Sequence, residues 1–446
     1  MSDLPPGWEW VELGEVAETS LGKMLDKGRA TNQHLVPYLR NVNVQWGKFD
    51  LSDVATMDVP SDMRAAYELK AGDLLVCEGG EIGRCAIWPG STSYMAYQKA
   101  LHRVRPARGV EVRYLRYLLE YLSLSNKLLP YSSGSTIKHL PQRQLRRLPL
   151  PLPPTAEQRR IVATLEDHLS RLDAGRDQVK AASSRLRALT KRVIVEALPV
   201  PGPAHWRCVT VGQAGHVELG RQRHPDWHTG PHMRPYLRVA NVFENRLDFG
   251  DVKEMSFPPE VFERFKLYPG DILLNEGQSP EYLGRPAMYR GTQDEFAFTN
   301  SLLRFKANSD VLPEWALLVF RRHMHARRFV REVRITTNIA HLSAARFKSV
   351  EFPIPPLAEQ ERIVTETGEL LRDIARLSES LDIARRRAGQ LRHALLADAF
   401  AGALVPQDPT EEPAGVLLER VRAERAAQSK RARARQAGNK TQEALL

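Results

Sequence analysis

Cysteine is nearly absent from this chain. Cys77, Cys85 and Cys208 are the only three in 446 residues, with neither zinc spacing nor a redox Cys-x-x-Cys pair. They read as free thiols of a reducing cytoplasm. Long apolar runs are missing as well: none approaches the roughly 18 residues needed to cross a bilayer. Asp3, Pro5 and Pro6 stand where a signal peptide would need its apolar core. There is no Gly-x-x-x-x-Gly-Lys-Ser/Thr phosphate loop, no glycine-rich cofactor loop after a strand, and no Asn-Pro-Pro-Tyr-like segment of the amino-methyltransferase kind. These absences argue against a P-loop ATPase, a dinucleotide enzyme and a membrane protein.

What the chain has is repetition. Pro37-Tyr38-Leu39-Arg40 returns as Pro235-Tyr236-Leu237-Arg238, 198 residues later. LKAGDLLVCEG from Leu69 returns as LYPGDILLNEG from Leu267 at the same offset. PLPPTAEQRRIV from Pro151 returns as PIPPLAEQERIV from Pro353, with the offset grown to 202. A repeat of this length is a duplicated domain pair rather than a solenoid unit. The expected molecule is a covalent pseudo-dimer whose diverged halves engage a two-part target.

A hydrophobic share of 42% and a charged share of 26% are ordinary for a globular protein. The net charge of +11 points to an acidic partner, most often nucleic acid. Much of it sits in the Arg-rich stretch from Glu419 to Lys440, so the folded body is only mildly basic.

Each copy divides in two. Residues 1–150 and 201–352 read as mixed α+β domains. In them Asp73-Leu74-Leu75-Val76 and Asp271-Ile272-Leu273-Leu274 follow a Gly-Asp turn as strands, and Val112–Leu129 and Leu312–Arg331 form helices. Residues 151–200 and 353–404 begin with prolines and continue as long helices, Ala156–Leu198 and Ala358–Leu404, with Glu157 and Glu359 in the first turn. Steps of three and four place Val162, Leu165, Leu169, Leu172, Val179, Leu186 and Val193 on one seam, and Leu370, Ile374, Leu377, Leu381, Ala384, Ala388, Leu391 and Leu395 on the other. Related by an internal pseudo-twofold, the helices would pair antiparallel. At 1.5 Å per residue, about 40 residues give roughly 60 Å, enough to separate two reading domains by a duplex turn of about 34–36 Å or more. The tail, 405–446, reads either as a further helix, packed near the N-terminus or on a partner, or as a disordered segment.

Candidate chemistry is sparse. Asp73 with Glu78, and Asp271 with Glu276, recur as a carboxylate pair. A Gly-Asp turn explains them more simply than a nuclease metal site, since no lysine follows in a D…ExK arrangement. His323 and His325 lie in an Arg-rich helical stretch, RRHMHARR, with no partner carboxylate, which argues against a metal site there.

The ordered set of motifs resembles a known family. PPGWEWVELGEV at Pro5 and PGPAHWRCVTVGQ at Pro201 look like the repeated start of a target-recognition domain. The PxPPxxEQxRIV runs resemble the segment that closes each such domain. With the PYLR and GD(I/L)L blocks, residues 4–404 resemble the specificity subunit of type I restriction–modification systems. The resemblance implies two target-recognition domains, each reading half of a split, asymmetric DNA sequence, and two antiparallel helices that set the gap. It implies a cytoplasmic, non-catalytic subunit serving DNA methylation and anti-phage defence. The partners would be double-stranded DNA, two methyltransferase subunits that use S-adenosylmethionine, and an endonuclease that uses ATP and Mg. The alternatives are a DNA-binding coiled-coil adaptor of another defence or methylation system, or an atypical nuclease.

Residues that touch DNA are sought in loops that differ while their frames match. Before PYLR these are Lys23, Lys27, Arg29 and Asn32 in copy one, and Arg221, Arg223 and His224 in copy two. After the Gly-Asp strand they are Glu78, Gly79, Gly80 and Glu81, against Glu276, Gln278 and Ser279, where copy two has three more residues. A third loop carries Ser135, Thr136, Lys138 and His139, matched by Thr336, Thr337, Asn338 and His341. His139 and His341 recur in register, which suggests a shared role in the frame.

Overall fold

The structure, a computed structural model, describes residues 4–25, 33–90, 93–136, 138–199, 202–331 and 339–427. The chain divides into two compact units, residues 1–177 with 384–446 (unit 1) and residues 178–383 (unit 2). The division falls inside the long helices, not at their ends.

Unit 1 is built on a four-stranded antiparallel sheet of β1 (Ala17–Leu21), β2 (Leu74–Cys77), β3 (Cys85–Ile87) and β4 (Leu101–Pro106), in the order β1-β4-β2-β3. The run Leu74-Leu75-Val76-Cys77 is apolar at every position because both faces of β2 are covered. Leu74 and Val76 face one core, with Leu115, Leu118 and Leu165; Leu75 and Cys77 face another, with Leu39, Trp88 and Tyr97. The preceding Gly-Asp turn is locked by its aspartate. Asp73 accepts from the Lys70 amide at 2.7 Å and from Arg105 Nε and NH2 at 2.7 and 2.8 Å. The carboxylate read as a turn residue thus braces the turn.

Unit 2 repeats this plan. Its sheet is β5 (Gly215–Leu219), β6 (Ile272–Asn275), β7 (Pro286–Met288) and β8 (Leu302–Ala307), in the order β5-β8-β6-β7. In both units the PYLR strand lies between an antiparallel and a parallel neighbour, with Tyr38 opposite Ala96 and Tyr236 opposite Ala297. The opening and closing motifs are strand partners. Trp10 pairs with Pro151 and Cys208 with Pro353.

Each unit packs a short helix beside a long one. The short helices are α1 (Val112–Leu124) and α3 (Pro313–His325), and the long ones α2 (Thr155–Glu196) and α4 (Leu357–Ala401). α1 and α3 stop five or six residues before the sequence suggests, where Asn126 and Arg327 adopt left-handed φ values of 56° and 55°. The Glu-Gln pair has a specific task in each copy. Gln158 accepts from the Glu111 amide at 2.8 Å and donates to the Pro153 carbonyl at 2.9 Å. Gln360 accepts from the Leu312 amide and donates to the Asp310 and Pro355 carbonyls, all at 2.9 Å. A buried glutamine therefore ties the start of each short helix to the start of each long one. Glu157, in the first turn of α2, accepts from Trp8 Nε1 at 3.0 Å, and Glu359 pairs with His205 at 3.0 Å.

Within unit 1 the first part of α2 lies antiparallel to the last part of α4: Ile161, Leu165 and Leu169 share a core with Leu396, Ala399 and Phe400, and Arg392 reaches Asp173 at 3.2 Å. Within unit 2, Ile194 and Leu198 share a core with Ile363. The expected seam needs correction on α4. Ile374 is buried, but Leu370, Leu377 and Leu391 are 54%, 55% and 50% exposed. Here α4 turns Ile363, Val364 and Leu371 toward the core of unit 2 instead. A helix of 3.6 residues per turn that must also serve its own domain cannot keep a 3.5-residue stripe on one side.

α4 ends at Gly402, whose φ of 76° permits the Ala403 amide to reach back to the Asp398 carbonyl at 2.8 Å. The chain beyond it packs back onto unit 1. Residues 414–427 are helical, and Ala414, Leu417, Leu418 and Val421 join the core of unit 1. The Ala414 amide donates to the Gly7 carbonyl at 2.9 Å, Arg422 pairs with Glu15 at 2.9 Å, and Arg425 donates to the Gly14 carbonyl at 2.6 Å. Of the two readings of the tail, this portion takes the helical one, against the N-terminal segment.

Candidate nucleic-acid interface

Two of the three loops singled out for recognition meet in each unit at the end of the Gly-Asp strand. In unit 1 the Glu78 amide donates to the Ala100 carbonyl at 3.0 Å, and the Glu78 carbonyl accepts from the Leu140 amide at 2.7 Å. Gly79 then bridges to His139, while Ser133 and His139 exchange backbone bonds of 2.8 and 2.9 Å. The His139 ring lies 3.0 Å from where a Cβ on Gly79 would stand, so position 79 has little room for a side chain. Unit 2 reproduces this. The Glu276 amide donates to Ser301, the Leu342 amide donates to Glu276, and Gly277 pairs with His341, whose ring is again 3.0 Å from the missing Cβ. His341 Nδ1 also meets Glu276 Oε2 at 3.2 Å. The two histidines occupy one place in the frame, each stacked over a glycine.

The occupants of that frame differ. In unit 1 Glu81 is a hub: Trp46 Nε1 donates to it at 2.7 Å and Arg84 at 3.3 Å, while Arg84 also donates to the Asn41 carbonyl at 3.0 Å. Asn41 Nδ2 closes the loop onto the Gly79 carbonyl at 3.3 Å. In unit 2 the longer loop pairs Gln278 with Ala340, Ser279 accepts from the Tyr282 amide at 2.9 Å, and Arg285 lies among Phe243 and Tyr282. Asn41, Trp46, Arg84, Phe243, Tyr282 and Arg285 were not singled out from sequence. The signal was there in the Gly-Arg pair, Gly83-Arg84 and Gly284-Arg285, repeated in the two copies.

Lys23 pairs through its backbone with the Tyr97–Lys99 segment. Gly80, with φ of 77°, has open space around it. Ser135, Thr136 and Lys138 are exposed, the Lys138 ammonium resting on the Gly134 carbonyl at 2.9 Å. Arg221 is held inside unit 2, its guanidinium 4.0 Å from the Trp227 ring centre and donating to the Ser256 carbonyl. Burial there lowers its pKa. Arg223 is exposed, and His224 accepts from the Asp226 amide at 3.3 Å. Lys27, Arg29, Asn32, Thr336, Thr337 and Asn338 lie outside the described residues.

Two buried histidines hydrogen-bond to backbone carbonyls, His102 beside the unit 1 frame and His323 at the start of the closing strand of unit 2. His102 shares a hydrogen bond with the Leu140 carbonyl at 2.8 Å and His323 one with the Glu351 carbonyl at 2.9 Å; burial pushes each pKa down to about 4. The expectation that the His323–His325 stretch lacks a carboxylate is corrected: His325 meets Glu244 at 2.9 Å, from 81 residues upstream. Among the described residues no group of three or more His, Cys, Asp or Glu is placed to hold a metal, and no helix is long and apolar enough to cross a membrane. Cys77 and Cys85 are buried free thiols and Cys208 an exposed one.

The two units share an α+β plan and a common loop frame, and the contents of their loops differ. Comparison with known proteins shows what the chain resembles. Residues 5–180 match the family described as the type I restriction modification DNA specificity domain. The chain is 24% identical to the EcoKI specificity subunit of Escherichia coli K12, over 95% of this chain and 97% of that one. It is 23% identical to the StySPI specificity subunit of Salmonella potsdam, over 95% and 96%. A chain from a structural study of assembly and conformational transition in the type I R-M system superposes with a TM-score of 0.73 at 21% identity, covering 91% of this chain and all of that one. The HsdS subunit of Thermoanaerobacter tengcongensis shares the fold at a TM-score of 0.53 and 21% identity, over 90% and 99%. Residues 5–180 thus match a DNA specificity domain, and over nearly its whole length the chain resembles type I restriction enzyme specificity subunits.

Proposed function

We propose that each unit reads one half of a split, asymmetric DNA target through the loops gathered at the end of its Gly-Asp strand. On this reading α2 and α4 set the gap between the half-sites and carry two methyltransferase subunits and, in the full assembly, a translocating endonuclease. The chain performs no chemistry itself. S-adenosylmethionine belongs to the methyltransferase, and ATP and Mg to the endonuclease. One observation carries the reading: the Gly79–His139 and Gly277–His341 frames coincide while their contents diverge. A scaffold that repeats its frame and varies its loops suits two different half-sites. The helices support the gap-setting role, since each begins in one unit and ends in the other, over 42 and 45 residues. That is roughly 65 Å of continuous helix.

The test is a map of methylated adenines in cells carrying the protein with its methyltransferase partner, beside a strain lacking it. A split, asymmetric motif that vanishes on deletion is the expected result; an unchanged map counts against the proposal. Removing seven residues from each helix should shorten the gap and leave both half-sites unaltered. A gap of unchanged length would contradict the role given to the helices.

A further inference from the structure

The repeated Gly-Arg pair presents its two guanidinium groups in different electrical states. In unit 1 Arg84 is compensated by Glu81 at 3.3 Å and donates to the Asn41 carbonyl. In unit 2 Arg285 has no carboxylate partner among the described residues. Glu244, which acts on it at longer range, is held by Arg321 at 2.8 Å and His325 at 2.9 Å. The Arg285 guanidinium carbon lies 4.9 Å from the centre of the Phe243 ring and 5.4 Å from that of Tyr282. Its buried Nε has no hydrogen-bond partner. Burial lowers its pKa, yet arginine stays charged at neutral pH. Arg285 is itself half-buried rather than enclosed, and the adjoining Tyr282 is exposed.

A half-buried cation with unfilled donors, fixed in a candidate recognition loop, is arranged to receive an acceptor. We propose that Arg285 is a specificity-determining residue of unit 2 that reads a guanine through O6 and N7. This rests on the DNA-reading function proposed above and deepens it. The Phe243 and Tyr282 rings flank the guanidinium without accepting its N–H hydrogens, so these donors are left for a ligand. The acceptor pair that matches a planar fork is the O6/N7 edge of guanine. The aromatic packing also fixes the side chain before binding, so little rotamer freedom is lost in the complex.

The experiment is the adenine-methylation map of the full-length protein with its methyltransferase, for Arg285→Gln, Arg285→Ala and Arg285→Lys, beside wild type. The unit 1 half-site and the gap should stay as they are. In the other half-site one guanine position should lose about 10-fold or more of its discrimination in R285A. R285Q should move the preference there toward adenine, because glutamine pairs with N6 and N7 of adenine. R285K keeps the charge and guards against a variant that merely fails to fold; it should loosen the same position. An unaltered second half-site, or a uniform loss of methylation with no relaxed position, as a phosphate contact would give, overturns the assignment. If wild type itself yields no split motif, the DNA-reading function fails before Arg285 is tested.

Discussion

Replacing Gln158 by methionine isolates what the repeated Glu-Gln motif contributes. Gln158 is fully buried, and methionine matches its length and volume, so no large cavity confuses the result. The substitution leaves the Glu111 amide and the Pro153 carbonyl without their partner. An orphaned buried polar group costs about 1–3 kcal/mol. Because the Glu111 amide is only partly buried, the sum for Q158M falls at about 2–4 kcal/mol. For a unit of this size that corresponds to a Tm lower by roughly 4–16 °C. Q360M orphans three groups, the Leu312 amide and the Asp310 and Pro355 carbonyls, and should cost more than Q158M. Calorimetry of the full chain gives the totals. Hydrogen exchange at the Glu111 and Leu312 amides gives the local effect, since each should lose protection only in its own variant. A Q158M protein that melts with wild type, or whose Glu111 amide stays protected, would refute the claim that this glutamine ties the two helices.

The same packing yields further tests. His102 and His323 are held neutral with pKa values near 4, against 6.5 when unfolded, so the unfolded chain binds more protons between those limits. Stability should be complete above pH 6.5 and fall as pH drops toward 4, by on the order of 2–3 kcal/mol for each histidine; denaturant titrations at pH 7.5 and 5 read this, and equal midpoints would contradict it. Leu417→Ala, at 2% exposure against the core of unit 1, should cost about 2–4 kcal/mol and speed protease cleavage beyond Gly402; cleavage at the wild-type rate would mean that residues 414–427 are not docked in solution. Asn275 is fully buried with both amide atoms lacking protein partners, and Cys77 holds its place in unit 1. Asn275→Cys should therefore stabilise unit 2 by about 1 kcal/mol; a lower melting temperature would show that the amide is satisfied.

The repeated framework was readable because both copies must satisfy the same local physics. The Gly-Asp turn needs its aspartate for the Lys70 or Tyr268 amide, and the proline run needs the opening segment as its strand partner. These demands act over a few residues or through one pairing, so they leave the same letters twice. What stayed hidden depends on distant partners. The helix seam misplaced Leu370, Leu377 and Leu391 because heptad counting cannot tell which side of α4 faces its own domain. The carboxylate serving His325 is Glu244, on the far side of the unit 2 sheet in sequence.

The candidate site divides along the same line. Comparing copies finds the frame, because the frame is what repeats: Gly79 with His139, Gly277 with His341. It passes over the discriminating contacts for the same reason, since a residue that distinguishes one half-site from another has no cause to recur. Arg84 and Arg285 sit between these cases. The letter repeats, but Glu81 compensates one charge and aromatic rings flank the other. Only the accounting of partners around each guanidinium separates a residue that braces its loop from one left with donors to offer.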